Sequence, residues 1–414
     1  MRRVCSPADV ARPRVLFASN GHGEDAVAGR LVDRVRALAP RDIALEAWPM
    51  VGAADAYVAR AVPLVGTRNL LPSGGFATLS LPLFWRDVRA GWLTVHRRQW
   101  RDARAMRGRY DLVVAVGDIV PMLMAVVARA PFVFVGCAKS VYYGARGRYT
   151  RFEKHLLRRY CTRCYARDAR TTQELAQARI AGAFVGNPMM DDLEGTGTAL
   201  TVPNEALVLA CLPGSRDDAE SNAARILSLV ADDAAAWARD SGVVFAFAVT
   251  ARFDVERMYQ SLAQPARERW RRRAASNGRG DVPELHLTNG VSARFITGQF
   301  ADVLRRARVA LGLAGTANEQ AIGLGVPLVT FATDGVQGQH YLRMKMRYFG
   351  DAALAVAPTG PALREAVERV ASDEQLRARM TSEGHARMGG PGASDAIARD
   401  ILAILAQRRR ESFA

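Results

Sequence analysis

Short apolar runs alternate with longer amphipathic stretches along most of this chain. That alternation predicts strand–helix–strand units, and hence a parallel sheet covered by helices. Residues 14–19 form the first such run, followed by a glycine-containing loop and a helix to about residue 39. Residues 43–48, 111–116, 132–136, 163–166 and 183–185 read as further strands, with a helix near 121–129. Residues 194–203, EGTGTALTVP, are rich in Gly, Thr and Pro and read as a linker. The alternation then restarts, with strands expected at 206–212, 243–249, 284–288, 309–313 and 327–331 and three helical stretches at the end.

A chain of 414 residues is expected to build more than one core. The two series predict an α/β protein of two Rossmann-like, doubly wound parallel-sheet domains facing a cleft. The first domain is expected over 1–195 and the second over 204–375, with helices over 376–414 packing back towards the first. In open α/β sheets ligands sit beyond the carboxyl ends of the strands, so chemistry is expected in the loops that follow them.

Residues 70–109 break the alternation. They hold Phe76, Phe84, Trp85, Trp92 and Trp100 among many arginines, and Phe84, Val88, Trp92 and Val95 follow helical spacing. Apolar aromatics beside arginines suit a membrane-surface or lipid-acceptor site. An amphipathic helix packed on the sheet with a solvated basic face has the same pattern.

Composition, 49% hydrophobic and 24% charged, is that of a globular protein and excludes disordered, collagenous and disulfide-scaffold classes. Charge is more informative. The formal net charge is +16, and of 57 basic side chains only Lys139, Lys154 and Lys345 are lysines. Arginine grips planar anions through a bidentate fork. The excess therefore suits a nucleotide substrate, nucleic acid or an anionic membrane face, although a genomic preference for arginine codons would also produce it. Five cysteines, an odd and sparse set, suit a reducing compartment. Cys161 and Cys164 form a lone C-x-x-C in a strand, with no second pair, so neither zinc nor redox chemistry is expected there. Residues 1–13 lack the apolar segment of a signal peptide. The apolar stretch 112–138 is interrupted by Asp118 and Arg129, and reads as strand, helix, strand rather than a membrane span. A cytoplasmic protein, peripheral to the inner membrane if it meets one, is expected.

Five loops carry candidate chemistry. The first strand ends in Ser19-Asn20-Gly21-His22-Gly23-Glu24-Asp25, where Gly21 and Gly23 permit tight turns before a helix N-terminus. This is not the dinucleotide pattern G-x-G-x-x-G, because the third glycine is missing. His22, Glu24 and Asp25 bring titratable groups, although acids there also favour the helix dipole. Asp118 follows the strand ending at Gly117, placed either to take a proton from a hydroxyl or to cap the next helix. In the second half, Gly214, Ser215 and Arg216 end a strand, and Arg216 is suited to clamp a diphosphate. Residues 312–320, GLAGTANEQ, again lead from strand to helix, so the amides at Gly315 and Thr316 suit phosphate, and Glu319 or Gln320 suits ribose hydroxyls. Gln337, Gln339 and His340 suit sugar hydroxyls.

L-P-G-S-R at 212–216 and G-T-A-x-x-x-A-x-x-x-G-V-P from Gly315 to Pro327 resemble lipid-A-disaccharide synthase, as does Gly186-Asn187-Pro188-Met189-Met190-Asp191 against that family's G-H-P-x-x-D. The opening S-N-G-H-G-E-D is similar to that of the lipid-A-disaccharide-synthase-related proteins, and the layout is shared more distantly with the peptidoglycan UDP-N-acetylglucosamine transferase. The resemblance implies a GT-B fold, inverting transfer without a required metal or cofactor, and a UDP-sugar bound mainly by the second domain. It implies that Arg216 contacts the diphosphate, that Gly315 and Thr316 present amides to it, and that Asp118, at the first Asp of the family's D-A-P-D-F, is a candidate base. Pro121 replaces the second Asp of that segment, and the family's G-E-A-S-G-D loop is replaced by Gly21–Asp25. Gln320 stands where the family has a ribose-binding Glu, with Glu319 one residue earlier and about 100° away around the helix.

The expected activity is transfer of an N-acetylglucosamine-type or acylated glucosamine from a UDP-sugar to a lipid or lipid-linked acceptor held by the first domain near 70–109. Asp118 is the expected base, with Glu24, Asp25 and His22 as rivals. A UDP-sugar 2-epimerase shares the two-domain arrangement and needs a histidine and acids around the donor sugar. A non-enzymatic membrane or nucleic-acid binder would use the basic runs at 269–273 and 408–410, but no nucleic-acid motif is present and no nucleic-acid partner is expected.

Overall fold

The computed structural model describes residues 12–40, 42–68, 92–200, 202–215, 218–237, 242–272, 282–287, 290–333 and 338–413. The chain forms two compact units. One takes the residues up to Val141, Ala145–Pro188 and the chain from Gly392 on; the other takes Tyr142–Gly144 and Met189–Pro391.

The first unit holds β1 (Arg14–Ser19), β2 (Ala44–Pro49), β3 (Leu112–Gly117), β4 (Phe132–Gly136), β5 (Cys161–Ala166) and β6 (Gly182–Ala183). They pair in the order β2-β1-β3-β4-β5-β6, and every pairing is parallel. LVVAVG in β3 and FVFVG in β4 are buried at every position, as a sheet covered on both faces requires. Between them, helix Ile119–Val127 begins at Asp118, whose side chain accepts from the Val120 amide, and tolerates Pro121 in its first turn, where a missing N–H costs nothing. The last helix, Ala393–Phe413, packs against helix His22–Leu38. Ile397, Ile401 and Leu405, four residues apart, form its buried stripe, and Asp400 accepts from the Tyr165 hydroxyl at 2.8 Å.

The second unit holds β7 (Leu207–Leu212), β8 (Val243–Val249), β9 (Arg271–Arg272), β10 (Glu284–Leu287), β11 (Val291–Thr297), β12 (Val309–Gly312), β13 (Leu328–Phe331) and β14 (Ala353–Val356). Their order is β14-β13-β12-β7-β8-β11-β10-β9. Alternation along β7 builds two cores. Val208, Ala210 and Leu212 join Val244, Ile322 and Val326 on one face, while Leu209 and Cys211 join Phe245, Phe247 and Val367 on the other. The sheet is not wholly parallel, because β10 runs antiparallel to both β11 and β9.

Two boundaries differ from those expected. The stretch 194–203 is no linker: the Thr196 amide donates to Asp302 at 2.9 Å, and Leu200 and Val202 pack on the second unit's core. The helices of 376–414 do not act together either, since Glu374–Met388 belongs to the second unit and Ala393–Phe413 to the first.

Candidate functional site

Each sheet has one place where successive strands depart in opposite directions, and in such sheets the gap between the two diverging loops is where ligands enter. In the first sheet it lies between β1 and β3, in the second between β7 and β12. The candidate loops around 20–25, 118, 213–215 and 313–316 follow these four strands.

In the first unit, Ser19 is level with Val116, so the residues after them emerge side by side. Asn20 donates from its side-chain amide to Asp118 Oδ2 at 2.9 Å, while Asp118 Oδ1 accepts from the Val120 amide at 2.9 Å. Asp118 is half-buried, caps the following helix as one of its two expected readings has it, and stands at the strand end. Burial pushes its carboxyl above the usual range, against the two hydrogen bonds that favour the charged form.

Glu24 lies across Gly21 and Gly117. A Cβ on Gly117, whose φ is +118°, would fall 2.7 Å from Glu24 Cγ, and one on Gly21 would meet the Glu24 carboxylate. His22 is exposed, and its ring covers Gly52, where a Cβ would come 2.7 Å from Cε1. Glycines on three strand-end turns thus make room for the His22 and Glu24 side chains. A Cβ on Gly23 would meet nothing within 4 Å.

Asp25 is placed differently. It is 2% exposed, takes the Ser19 hydroxyl on Oδ1 at 2.6 Å, and Ser19 also shares a hydrogen bond of 2.6 Å with the Tyr57 hydroxyl. Burial pushes its carboxyl up to about 7, with the Glu24 and Asp55 charges adding to the rise. Asp25 is part of a buried Asp–Ser–Tyr chain.

In the second unit, Leu212 is level with Gly312. Gly214 has φ +107° and nothing near the position of a Cβ, and Ser215 is exposed beside it. Arg216 and Gln337 lie outside the described residues. Asn222 on the helix after β7 donates to the Pro213 carbonyl at 2.9 Å, and Asn318 on the helix after β12 donates to the Gly312 carbonyl at 3.2 Å. Helix Thr316–Gly323 starts at Gly315 with Thr316 exposed.

Glu319 and Gln320 turn inward. Glu319 Oε1 receives the Lys345 ammonium at 2.6 Å, and the Gln320 amide donates to the Met189 carbonyl at 2.9 Å. Gln339 and His340 are exposed at the start of helix Gln339–Phe349.

Several of these residues escape sequence reasoning. Asn222, Lys345, Tyr57 and Gly52 carry no local motif, and only the scarcity of lysine marks Lys345. All three lysines bind a glutamate: Lys139 to Glu153 at 2.6 Å, Lys154 to Glu174 at 2.5 Å and Lys345 to Glu319 at 2.6 Å.

Other sequence features carry less. Cys161 and Cys164 are free thiols in β5, and burial pushes the Cys161 thiol up to about 12. Among the described residues no group of three or more His, Cys, Asp or Glu is placed to hold a metal ion. Of the basic aromatic segment, 70–91 lies outside the described residues. Of the rest, Trp92–Ala105 forms a helix, which packs on helix Ile119–Val127, buries Gln99 and Ala103 and exposes Trp100. Among the described residues no helix is long and apolar enough to cross a membrane.

No family model and no curated protein sequence matches this chain. Solved structures do match over nearly its full length. CalG4, the calicheamicin glycosyltransferase, is 19% identical with a TM-score of 0.60, over 95% of this chain and 98% of its own. MurG of Acinetobacter baumannii is 12% identical with a TM-score of 0.57, over 94% and 99%. UDP-GlcNAc 2-epimerase of Neisseria meningitidis, solved bound to UDP-GlcNAc, is 12% identical with a TM-score of 0.55, over 94% and 100%. At these identities the likeness is one of fold, and the chain has the GT-B architecture of two α/β units that the sequence pattern predicts.

Proposed function

We propose that this chain is a glycosyltransferase that moves a sugar from a UDP-sugar to a lipid or lipid-linked acceptor, with inversion at the anomeric carbon. The observation that carries the reading is the Asn20–Asp118 pair at the strand-order reversal of the first sheet. A carboxylate fixed there by two hydrogen bonds on adjacent strand ends is preorganised to take a proton. The acceptor oxygen attacks the anomeric carbon, its proton passes to Asp118, and the bond to the diphosphate breaks with its electron pair leaving on phosphate. Glu24 and His22 flank this position as hydroxyl-binding groups. The second unit takes the donor: the amides at Gly315 and Thr316 with Arg216 meet the diphosphate, Gly214 and Ser215 border it, and Gln337, Gln339 and His340 meet sugar hydroxyls. The sugar is an N-acetylglucosamine or acylated glucosamine type, as in lipid-A-disaccharide synthase, and the acceptor lipid is met near 70–109 at the face of a membrane.

The test is thermal stability against a panel of free nucleotides. A ligand at about 100 times its dissociation constant adds about 2.7 kcal/mol. UDP is expected to stabilise the wild type and not Arg216→Ala; stabilisation by no nucleotide rejects the reading.

A 2-epimerase is the second reading, favoured by the fold shared with UDP-GlcNAc 2-epimerases and by a histidine and a carboxylate, His22 and Glu24, in the segment after β1. Incubation with UDP-GlcNAc and no acceptor separates the two, because only an epimerase changes the donor alone.

A further inference from the structure

Glu319 presents a difficulty for a diphosphate site at Gly315. It lies in the first turn of helix Thr316–Gly323, and its side chain is 3% exposed. An ionised carboxylate so close to the helix start would repel an incoming anion, more strongly where water is excluded. Lys345 meets that charge. Its ammonium is 2.6 Å from Glu319 Oε1 and 3.5 Å from the Tyr143 hydroxyl. It also lies between 5.6 and 5.9 Å from the ring centres of Tyr341, Tyr143, Tyr348 and Phe349. Tyr341 links this cluster to the loop, since its hydroxyl lies 3.3 Å from where a Cβ on Gly315 would stand.

We infer that Lys345 is a positioning residue for the donor diphosphate: it neutralises Glu319 and, through Tyr341, holds the Gly315 turn, so that the helix start stays attractive to an anion. The inference rests on the donor-site reading above. It assigns no contact between Lys345 and the donor. Its effect runs through Glu319, which separates it from a general contribution to stability.

Calorimetric titration with UDP and with uridine tests it on the full chain, using the wild type, Lys345→Met, Glu319→Gln and the double variant. Lys345→Met is expected to weaken UDP about tenfold or more while changing uridine less than about threefold, because only UDP carries the charge that Glu319 repels. The double variant is expected to recover UDP affinity to within about threefold of the wild type. If the wild type binds no UDP, the donor-site reading fails and this inference with it. If the wild type binds UDP and Lys345→Met weakens UDP and uridine alike, or neither, the inference alone fails. Should Lys345→Met not fold, Glu319→Gln decides: a selective loss of UDP affinity in that variant overturns the inference, and retained or tighter UDP binding supports it.

Discussion

Asn20 donates to Asp118 across neighbouring strands, 98 residues apart in the chain and 2.9 Å apart in space. The Val120 and Asn20 hydrogen bonds favour the charged carboxylate, while burial disfavours it. Asn20→Ala removes one of these two hydrogen bonds, and the Asp118 pKa is expected to rise further. The acidic limb of the pH profile of kcat/KM is then expected to move to higher pH. Asp118→Asn is expected to cost about 10²–10⁴ in turnover with UDP affinity unchanged. Full turnover in Asp118→Asn would show that the base lies elsewhere.

Asp25 is expected to make folding pH-dependent. Its carboxyl is pushed up to about 7 in the folded chain from a usual 3.8. Between those values the folded state holds a proton that the unfolded state has released, so this group's contribution to stability falls as pH rises. Asp25→Asn cannot ionise and is expected to flatten that slope. Urea unfolding of both proteins at steps from about pH 4 to pH 8 reads it, and parallel curves would refute the assignment.

Gly117→Ala places a methyl in a backbone region that suits glycine and 2.7 Å from Glu24 Cγ. A destabilisation of about 1–3 kcal/mol is expected, together with lower activity, because Glu24 must move. Unchanged melting and turnover would mean that the turn relaxes without disturbing Glu24.

Asn222→Ala leaves the buried Pro213 carbonyl without its side-chain donor. The expected cost is about 1–3 kcal/mol of stability, and weaker UDP binding through the Gly214–Ser215 turn. Calorimetry showing wild-type affinity in a destabilised protein would confine Asn222 to a structural role.

The strand-end loops were legible because their signals are local: an apolar run stopped by glycine, then a helix start. The same logic fails for β11, where Ser292 and Arg294 interrupt the apolar pattern although the strand pairs in parallel along β8. It fails for 194–203 as well, where a composition typical of linkers packs on Asp302. The motif suits Glu319 or Gln320 to ribose hydroxyls, but packing turns both side chains inward.

By itself the sequence determined two doubly wound α/β units and which loops leave the carboxyl ends of strands. Burial on both faces of a sheet demands near-continuous apolar runs, and tight exits demand glycine, and both are written in neighbouring residues. Only the tertiary structure decided the strand order, and so which loops stand together and which side chains meet. Lys345 reaches Glu319 from 26 residues away and Tyr143 from 202. Such pairings are selected by the packing of whole helices and strands, where a buried charge must find its partner, and no local pattern encodes that choice.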